Sequence, residues 1–143
     1  MEAQTKPAVL KILTVEDSPL IISRLEAIIR DVSDAQFVGN ATSMTNALDL
    51  IDEQRPHVLF LDIRLGRRAE EKTGIDILSV VNKEYPAITV VMLTNLSGER
   101  YRTLCEREGA NYFLDKSQDF DKIPDTLDKI MSQGKTRHFK SSR

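Results

Sequence analysis

A run of four large apolar residues that ends in a carboxylate constrains the fold of this chain more than any other stretch. The run is Val58–Leu61, it follows Pro56 and His57, and the next residue is Asp62. A continuous apolar run is typical of a strand that is buried on both faces of a parallel sheet. Open α/β folds bind ligands at the carboxyl ends of such strands, so Asp62 is the first candidate for chemistry. Taken alone, this residue is equally explained as a loop or helix cap.

The composition indicates one folded domain without a strong electrostatic preference for a partner. The chain has 143 residues, of which 41% are hydrophobic and 29% charged, so it has enough apolar residues to form a core. Its net charge of −2 gives no general attraction to nucleic acid or anionic membrane. With one cysteine, Cys105, no internal disulfide is possible and a reducing compartment is expected.

The pattern along the chain predicts three segments in a cytoplasmic protein. No apolar run reaches the length of a membrane span, and the N-terminus lacks the apolar segment of a signal peptide. We expect a flexible arm over residues 1–8, a domain over residues 9–133, and a short basic tail over residues 134–143.

Five apolar strands alternate with five helical stripes along the domain. The predicted strands cover residues 9–15, 36–41, 58–61, 88–93 and 111–114. The predicted helices begin near Ser18, Ser43, Gly74, Ser97 and Phe120. Parallel strands need crossover connections, and right-handed crossovers leave few topologies. The sequence therefore predicts an α/β fold, a doubly wound five-stranded parallel sheet of the flavodoxin-like (βα)5 type.

Polar residues follow four of the predicted strands at the points where they end. Glu16 and Asp17 follow the first, Asp62 the third, Thr94 the fourth, and Lys116 lies just after the fifth. Because the carboxyl ends of parallel strands meet at one edge of the sheet, three carboxylates and one amine are expected to share a small site.

These residue types together fit phosphoryl transfer with a divalent cation. Neighbouring carboxylates repel one another, and Mg²⁺ relieves the repulsion with oxygen ligands. Asp62 is then available as the attacking oxygen, Lys116 as a mobile positive charge, and Thr94 as a hydroxyl donor. Each residue alone also has a purely structural explanation, such as a strand end, a solvated charge or a helix N-terminal acid.

Four sequence stretches together resemble the receiver domain of bacterial two-component response regulators. They are VEDSP after the first strand, LFLDIRL at the third, VVMLTN at the fourth and GANYFLDKS at the fifth, and the resemblance spans residues 10–131. It implies that Asp62 accepts a phosphoryl group from a phosphohistidine of a sensor histidine kinase or phosphotransfer protein. It also implies that Glu16, Asp17, Asp62 and the backbone carbonyl of Arg64 hold Mg²⁺.

The same resemblance implies a switch. Lys116 would contact the phosphoryl group, and Thr94 and Phe113 would respond to it, Tyr112 pointing to the opposite face. Added negative charge would draw the Thr94 hydroxyl inward, and Phe113 would turn into the vacated space. The face formed by the fourth helix, fifth strand and fifth helix would then bind a different partner.

One departure from the family pattern is the loop after Asp62. Its residues 63–73 form a longer connection than usual and lack the common proline. Arg67 and Arg68 in this loop either reach the phosphoryl site or a partner, or are simply solvated.

Two further departures lie at the fourth and fifth strands. Ser117 follows Lys116 where the family usually has a proline with a cis bond, which leaves the peptide geometry open. Asn95 follows Thr94 where a small residue is common, and it is expected to affect access to the site.

The expected function is that of a stand-alone receiver, a signalling phosphoacceptor rather than an enzyme. The nine residues after Gly134 are too few for a DNA-binding unit, so no output domain, nucleic acid or membrane contact is expected. The partners would be a kinase or phosphotransfer protein and a downstream target protein, with the receiver as a monomer or a phosphorylation-dependent dimer. The chain is alternatively the receiver of a longer DNA-binding regulator.

Three other functions fit these residues less well. A Mg²⁺-dependent aspartyl phosphohydrolase needs a second acid two residues after Asp62, where Arg64 stands. A receiver-like module that is never phosphorylated would not need the complete set of acids, Thr94 and Lys116. A flavodoxin-like cofactor binder would not place Glu16 and Asp17 where a phosphate must bind.

Overall fold

The computed structural model of the chain describes residues 7–65 and 73–133, together with the backbone of residues 140–141. The strands are β1 Leu10–Val15, β2 Ala35–Ala41, β3 Val58–Leu61, β4 Thr89–Thr94, β5 Tyr112–Asp115 and β6 Lys140–Ser141. The helices are α1 Pro19–Asp31, α2 Met44–Gln54, α3 Gly74–Glu84, α4 Glu99–Arg107 and α5 Ile123–Gln133, with a 3₁₀ turn at Phe120–Lys122. No helix among the described residues is long and apolar enough to span a membrane.

The strands form one parallel sheet in the order β2-β1-β3-β4-β5-β6. The chain winds outward in both directions from the boundary between β1 and β3, which is the topological switch point where such folds place their sites. This order confirms the predicted doubly wound, flavodoxin-like sandwich with its five parallel strands.

The apolar run that ends at Asp62 is buried on both faces, as predicted. Leu59 and Leu61 belong to the core cluster that contains residues of α2 and α3, whereas Val58 and Phe60 belong to the cluster that contains residues of α1 and α5. All four are at most 1% exposed. Because successive side chains of a strand point to opposite faces, β3 packs against both layers of helices.

Serine caps begin the first two helices where the sequence predicts them. The Ser18 hydroxyl accepts from the Ile21 amide at 3.4 Å, with Pro19 opening α1. The Ser43 hydroxyl accepts from the Asn46 amide at 3.2 Å. Each bond satisfies one backbone donor that has no partner within its helix.

The last helix begins later than its apolar stripe suggests. A 3₁₀ turn covers Phe120–Lys122, and α5 begins at Ile123. Pro124 has no N–H, so it cannot donate to the Phe120 carbonyl as an α-helix starting at Phe120 would require. The proline therefore fixes the start of α5.

A sixth strand lies within the segment that is predicted to be a short basic tail. Lys140–Ser141 pairs in parallel with Tyr112 and Phe113 of β5, and so adds to the edge of the predicted sheet. Two residues carry no periodicity, and this pairing therefore has no signal in the sequence. The described residues do not include residues 1–6, 66–72, 134–139 and 142–143. Arg67, Arg68 and most of the predicted arm and tail therefore lie outside them.

We expect the thiol of Cys105 to be unreactive in the folded protein. The side chain is fully buried, and burial, with a smaller effect of the Glu108 charge, raises its pKa to about 12. At pH 8 only about one thiol in ten thousand is then ionised, and the thiolate is the reactive form. A disulfide reagent should therefore label the native chain far more slowly than the chain in guanidinium. Equal labelling rates in the two conditions would contradict the buried position.

Candidate functional site

Three carboxylates meet where β1 and β3 end. Oxygen atoms of Glu16, Asp17 and Asp62 lie within 4.8 Å of one another. Glu16 and Asp62 are buried, whereas Asp17 is exposed. The sheet fixes two of them, because the Glu16 amide donates to Ala41 and the Asp62 amide donates to Val15. The structure thus brings together the acids that the sequence predicts at this edge.

Lys116, which follows β5, contacts two of these acids at the same edge of the sheet. Its Nζ lies 2.8 Å from Oε1 of Glu16 and 2.7 Å from Oδ2 of Asp62. The lysine side chain is 8% exposed, so this is a buried cluster of charges rather than a surface ion pair. Oε2 of Glu16 also accepts from the Ser18 amide at 3.1 Å, which fixes the orientation of the carboxylate.

Burial and neighbouring charges act in opposite directions on this cluster. Burial raises the pKa of Glu16, the hydrogen bond from Lys116 opposes this, and the charge of Asp62 adds to the rise. Burial alone would lower the pKa of Lys116, but hydrogen bonds and charges from Asp62 and Glu16 outweigh it and raise that pKa. The lysine is therefore held in its charged form, which offsets the repulsion between the buried carboxylates.

The donor set of this cluster fits Mg²⁺. Three carboxylates in mutual reach supply the hard oxygen ligands that this ion prefers, and the exposed side of Asp17 leaves room for waters. Arg64 is exposed two residues after Asp62, at the start of the loop. The resemblance to receivers implies that its backbone carbonyl binds the same ion, and this role stays a prediction.

Thr94 is the buried last residue of β4, between the strands that carry Asp62 and Lys116. Its hydroxyl oxygen accepts from the Leu96 amide at 3.1 Å, and its carbonyl accepts from the Lys116 amide at 3.0 Å. The hydroxyl hydrogen is not used in the bond from Leu96, so it can be donated elsewhere. Asn95, the next residue, is exposed.

Phe113 lies on the α4 side of the sheet, and Tyr112 lies on the opposite face, as the strand alternation predicts. The Phe113 ring is fully buried, and the guanidinium of Arg102 on α4 lies over it, 4.7 Å from the ring centroid. The ring is therefore already in a buried position in this structure. The outward position, from which the predicted inward turn would begin, is not the one observed here. Arg102 was not predicted, because no local pattern shows which helical residue covers a given ring.

Gly74 is a second residue whose importance the sequence did not reveal. A Cβ at this position would lie 1.8 Å from the backbone oxygen of Asp62, and the Gly74 amide donates to the Ile63 carbonyl at 2.6 Å. The first residue of α3 thus packs directly against the backbone of the buried acid. Its signal in the sequence is a glycine at a helix start, which is too common to be specific.

The comparison with known proteins agrees with this geometry. Residues 12–128 match the family model described as response regulator receiver domain. The chain belongs to this family. Its members are the phosphoacceptor modules of two-component signalling. The match confirms the resemblance that rests on the four strand-end stretches.

The chain is similar to named regulators and to solved receiver structures. It is 27% identical over 124 residues to the transcriptional regulatory protein BtsR of Escherichia coli K12, covering 87% of this chain and 49% of that protein. It resembles the response regulator domain of Thermotoga maritima CheB at TM-score 0.72 and 26% identity, covering 87% and 95% of the two chains. The isolated REC domain of Salmonella enterica serovar Typhimurium RcsB, solved with the phosphomimetic BeF3⁻, shares the fold at TM-score 0.80 and 14% identity over 92% and 93%.

The receiver accounts for only part of the curated relatives. The chain spans about half the length of BtsR. It spans 23% of the protein-glutamate methylesterase/protein-glutamine glutaminase of Pyrococcus horikoshii, to which it is 31% identical over 90 residues, 63% of this chain. Regions similar to this chain therefore occur in proteins named as a transcriptional regulator and as an enzyme.

We expect Gly74→Ala to destabilise the receiver by about 1–3 kcal/mol, because the new methyl group must push α3 away from Asp62. Urea unfolding would measure the change. Gly98→Ala is the matched control, since a Cβ there meets no atom within 4 Å and Gly98 has φ −66°. Equal losses in the two variants would show that the close approach to Asp62 does not matter.

Proposed function

We propose that Asp62 accepts a phosphoryl group from a phosphohistidine of a sensor histidine kinase or a phosphotransfer protein. The observation that carries the proposal is the buried Lys116 ammonium held between Glu16 and Asp62 at the ends of three strands. The site joins a nucleophile, oxygen ligands and a fixed cation. This combination suits transfer of a highly charged group, where catalysis depends on positioning and electrostatic stabilisation.

In the proposed transfer, an Asp62 carboxylate oxygen attacks the phosphorus, and the bond from phosphorus to the donor's imidazole nitrogen breaks. The electron pair of that bond leaves with the imidazole. Glu16, Asp17, Asp62 and the Arg64 carbonyl would hold Mg²⁺, which when bound neutralises charge on the phosphoryl oxygens. Lys116 already contacts Asp62, so its ammonium can move to a phosphoryl oxygen without leaving the site.

The proposed switch uses Thr94 and Phe113. The Thr94 hydroxyl donates its hydrogen to the new phosphoryl oxygens. Because the Leu96 amide donates to the same hydroxyl oxygen, movement of Thr94 toward the phosphoryl group also shifts the chain after β4. This shift reaches α4 and therefore Arg102, which covers the Phe113 ring. The face formed by α4, β5 and α5 then presents a different surface to a target protein.

We propose a signalling role for this transfer. The receiver acts as a cytoplasmic signalling protein rather than an enzyme, as a monomer or as a dimer that forms on phosphorylation. Its partners are the phosphodonor protein and a protein target, without direct contact to nucleic acid or membrane.

A second setting is favoured by the share of the relatives that the chain covers. BtsR extends well beyond the matched region, so this receiver would equally serve as one part of a longer DNA-binding regulator. A phosphohydrolase is disfavoured, because the exposed Arg64 stands where that chemistry needs a second acid.

Incubation with acetyl phosphate and Mg²⁺ should add the mass of one phosphoryl group to the intact protein. Asp62→Asn should abolish the gain, since the amide is a poor nucleophile. Asp128→Asn, the same change at an exposed position on α5, is the control and should be modified like the wild type. An unmodified wild type under conditions where Mg²⁺ binds would overturn the proposal, and turnover of a phosphate ester would favour the hydrolase.

Thr94→Ala should still accept the phosphoryl group but should lose the response of the α4 and β5 backbone. Thr94→Ser keeps the hydroxyl and should retain most of that response. Amide ¹H–¹⁵N chemical shifts of α4 and β5 before and after phosphorylation would measure it. The hydroxyl has no part in the switch if the alanine and serine variants show the same shifts as the wild type.

A further inference from the structure

The turn after Lys116 lacks the residue that the family normally uses there. Ser117 occupies the proline position, and the peptide bond between Lys116 and Ser117 is trans. The direction of the chain on leaving β5 must therefore be set by other contacts. These contacts bear on the site, because Lys116 is the residue that reaches Glu16 and Asp62.

Asp115, the last residue of β5, makes those contacts. Its Oδ1 accepts from the Ser117 amide at 2.7 Å and from the Ser117 hydroxyl at 2.6 Å. A carboxylate that accepts from the backbone two residues onward closes a tight turn. The Asp115 carbonyl accepts from the Asp119 amide at 2.9 Å, and the Asp115 amide donates to Oδ2 of Asp119 at 2.8 Å. Hydrogen bonds of the amide, the carbonyl and Oδ1 of Asp115 thus fix the chain on both sides of Lys116.

The same residue connects this turn to the chain after β4. Asp115 is in register with Thr94, and the Lys116 amide donates to the Thr94 carbonyl at 3.0 Å. Hydrogen bonding from Ser117 and, next, from the Ser97 side chain lowers the pKa of Asp115, so its side chain is a carboxylate at neutral pH. Hydrogen bonds therefore fix the main chain at Asp115, at Lys116 and at Ser117.

A fixed main chain matters because the lysine side chain is long and flexible. Its ammonium must lie within hydrogen-bond distance of two buried carboxylates on other strands, and a small displacement in such a site costs a large part of the rate. We infer that Asp115 is a positioning residue, whose carboxylate fixes the main chain around Lys116 and so directs the ammonium onto Glu16 and Asp62. The inference rests on the proposed phosphoryl transfer to Asp62.

Three variants separate this role from general damage to the site. Asp115→Ala removes the acceptor, Asp115→Asn keeps an acceptor oxygen at the same place, and Asp128→Ala is the control at an exposed position of α5. With acetyl phosphate, Asp115→Ala should be phosphorylated roughly tenfold or more slowly than the wild type. Asp115→Asn and Asp128→Ala should react at close to the wild-type rate. Mg²⁺ affinity, measured by calorimetry, should not fall in any of the three, since no proposed ligand lies on β5 and a displaced ammonium removes only a competing cation from Glu16 and Asp62.

The position of the ammonium can be read without phosphorylation. A buried, hydrogen-bonded lysine ammonium exchanges slowly enough to give an ¹H–¹⁵N signal, which Lys116→Arg would identify by its loss. We expect the signal to persist in Asp115→Asn and Asp128→Ala and to disappear in Asp115→Ala.

The outcomes distinguish the inference from the proposed function. The inference is overturned if Asp115→Ala reacts at the wild-type rate, if its Mg²⁺ affinity falls together with its rate, or if Asp115→Asn is equally slow. If the wild type accepts no phosphoryl group, the proposed function fails, and only the ¹H–¹⁵N signal of the Lys116 ammonium then tests the positioning role of Asp115. Its loss in Asp115→Ala then supports the positioning role, and its persistence overturns that role.

Discussion

The buried contact of Lys116 with Glu16 and Asp62 is the interaction on which the rest of the site depends. Two carboxylates this deeply buried are costly unless a positive charge accompanies them, and removing one member would leave an uncompensated charge. The lysine comes from β5, which is two strands away from β3, a distance of about 10 Å at the usual strand spacing. Only a long side chain can bridge this gap, and it passes the end of β4, where Thr94 stands.

Close packing against the site explains why its parts are linked. Gly74 brings the first residue of α3 against the backbone of Asp62, and Asp115 ties the chain after Lys116 to the chain after β4. On the α4 side, the Arg102 guanidinium covers the Phe113 ring, and its Nε and Nη1 are buried without a hydrogen-bond partner. The contact with the ring compensates in part for the burial of these two nitrogen atoms, which makes the packing of α4 dependent on Phe113.

The sequence predicts the features that depend on periodicity and on residue type at strand ends. The apolar run before Asp62, the caps Ser18 and Ser43 and the convergence of Lys116 on the acids all follow from local patterns and parallel pairing. The contact between Arg102 and Phe113 joins residues on different elements, so no local pattern contains it. The role of Gly74 depends on a distance of close approach, and that of Asp115 on a turn geometry that many acidic loops lack. Only the three-dimensional arrangement reveals these.

The short strand β6 has a consequence for how other chains can approach this receiver. The edge of a parallel sheet presents unpaired N–H and C=O groups, which invite strand addition by a second molecule. Lys140–Ser141 occupies that position beside Tyr112 and Phe113. A peptide that pairs with Tyr112 and Phe113 through its main chain must first displace Lys140–Ser141. The binding free energy of such a peptide is therefore reduced by the cost of breaking the pairing between β5 and β6.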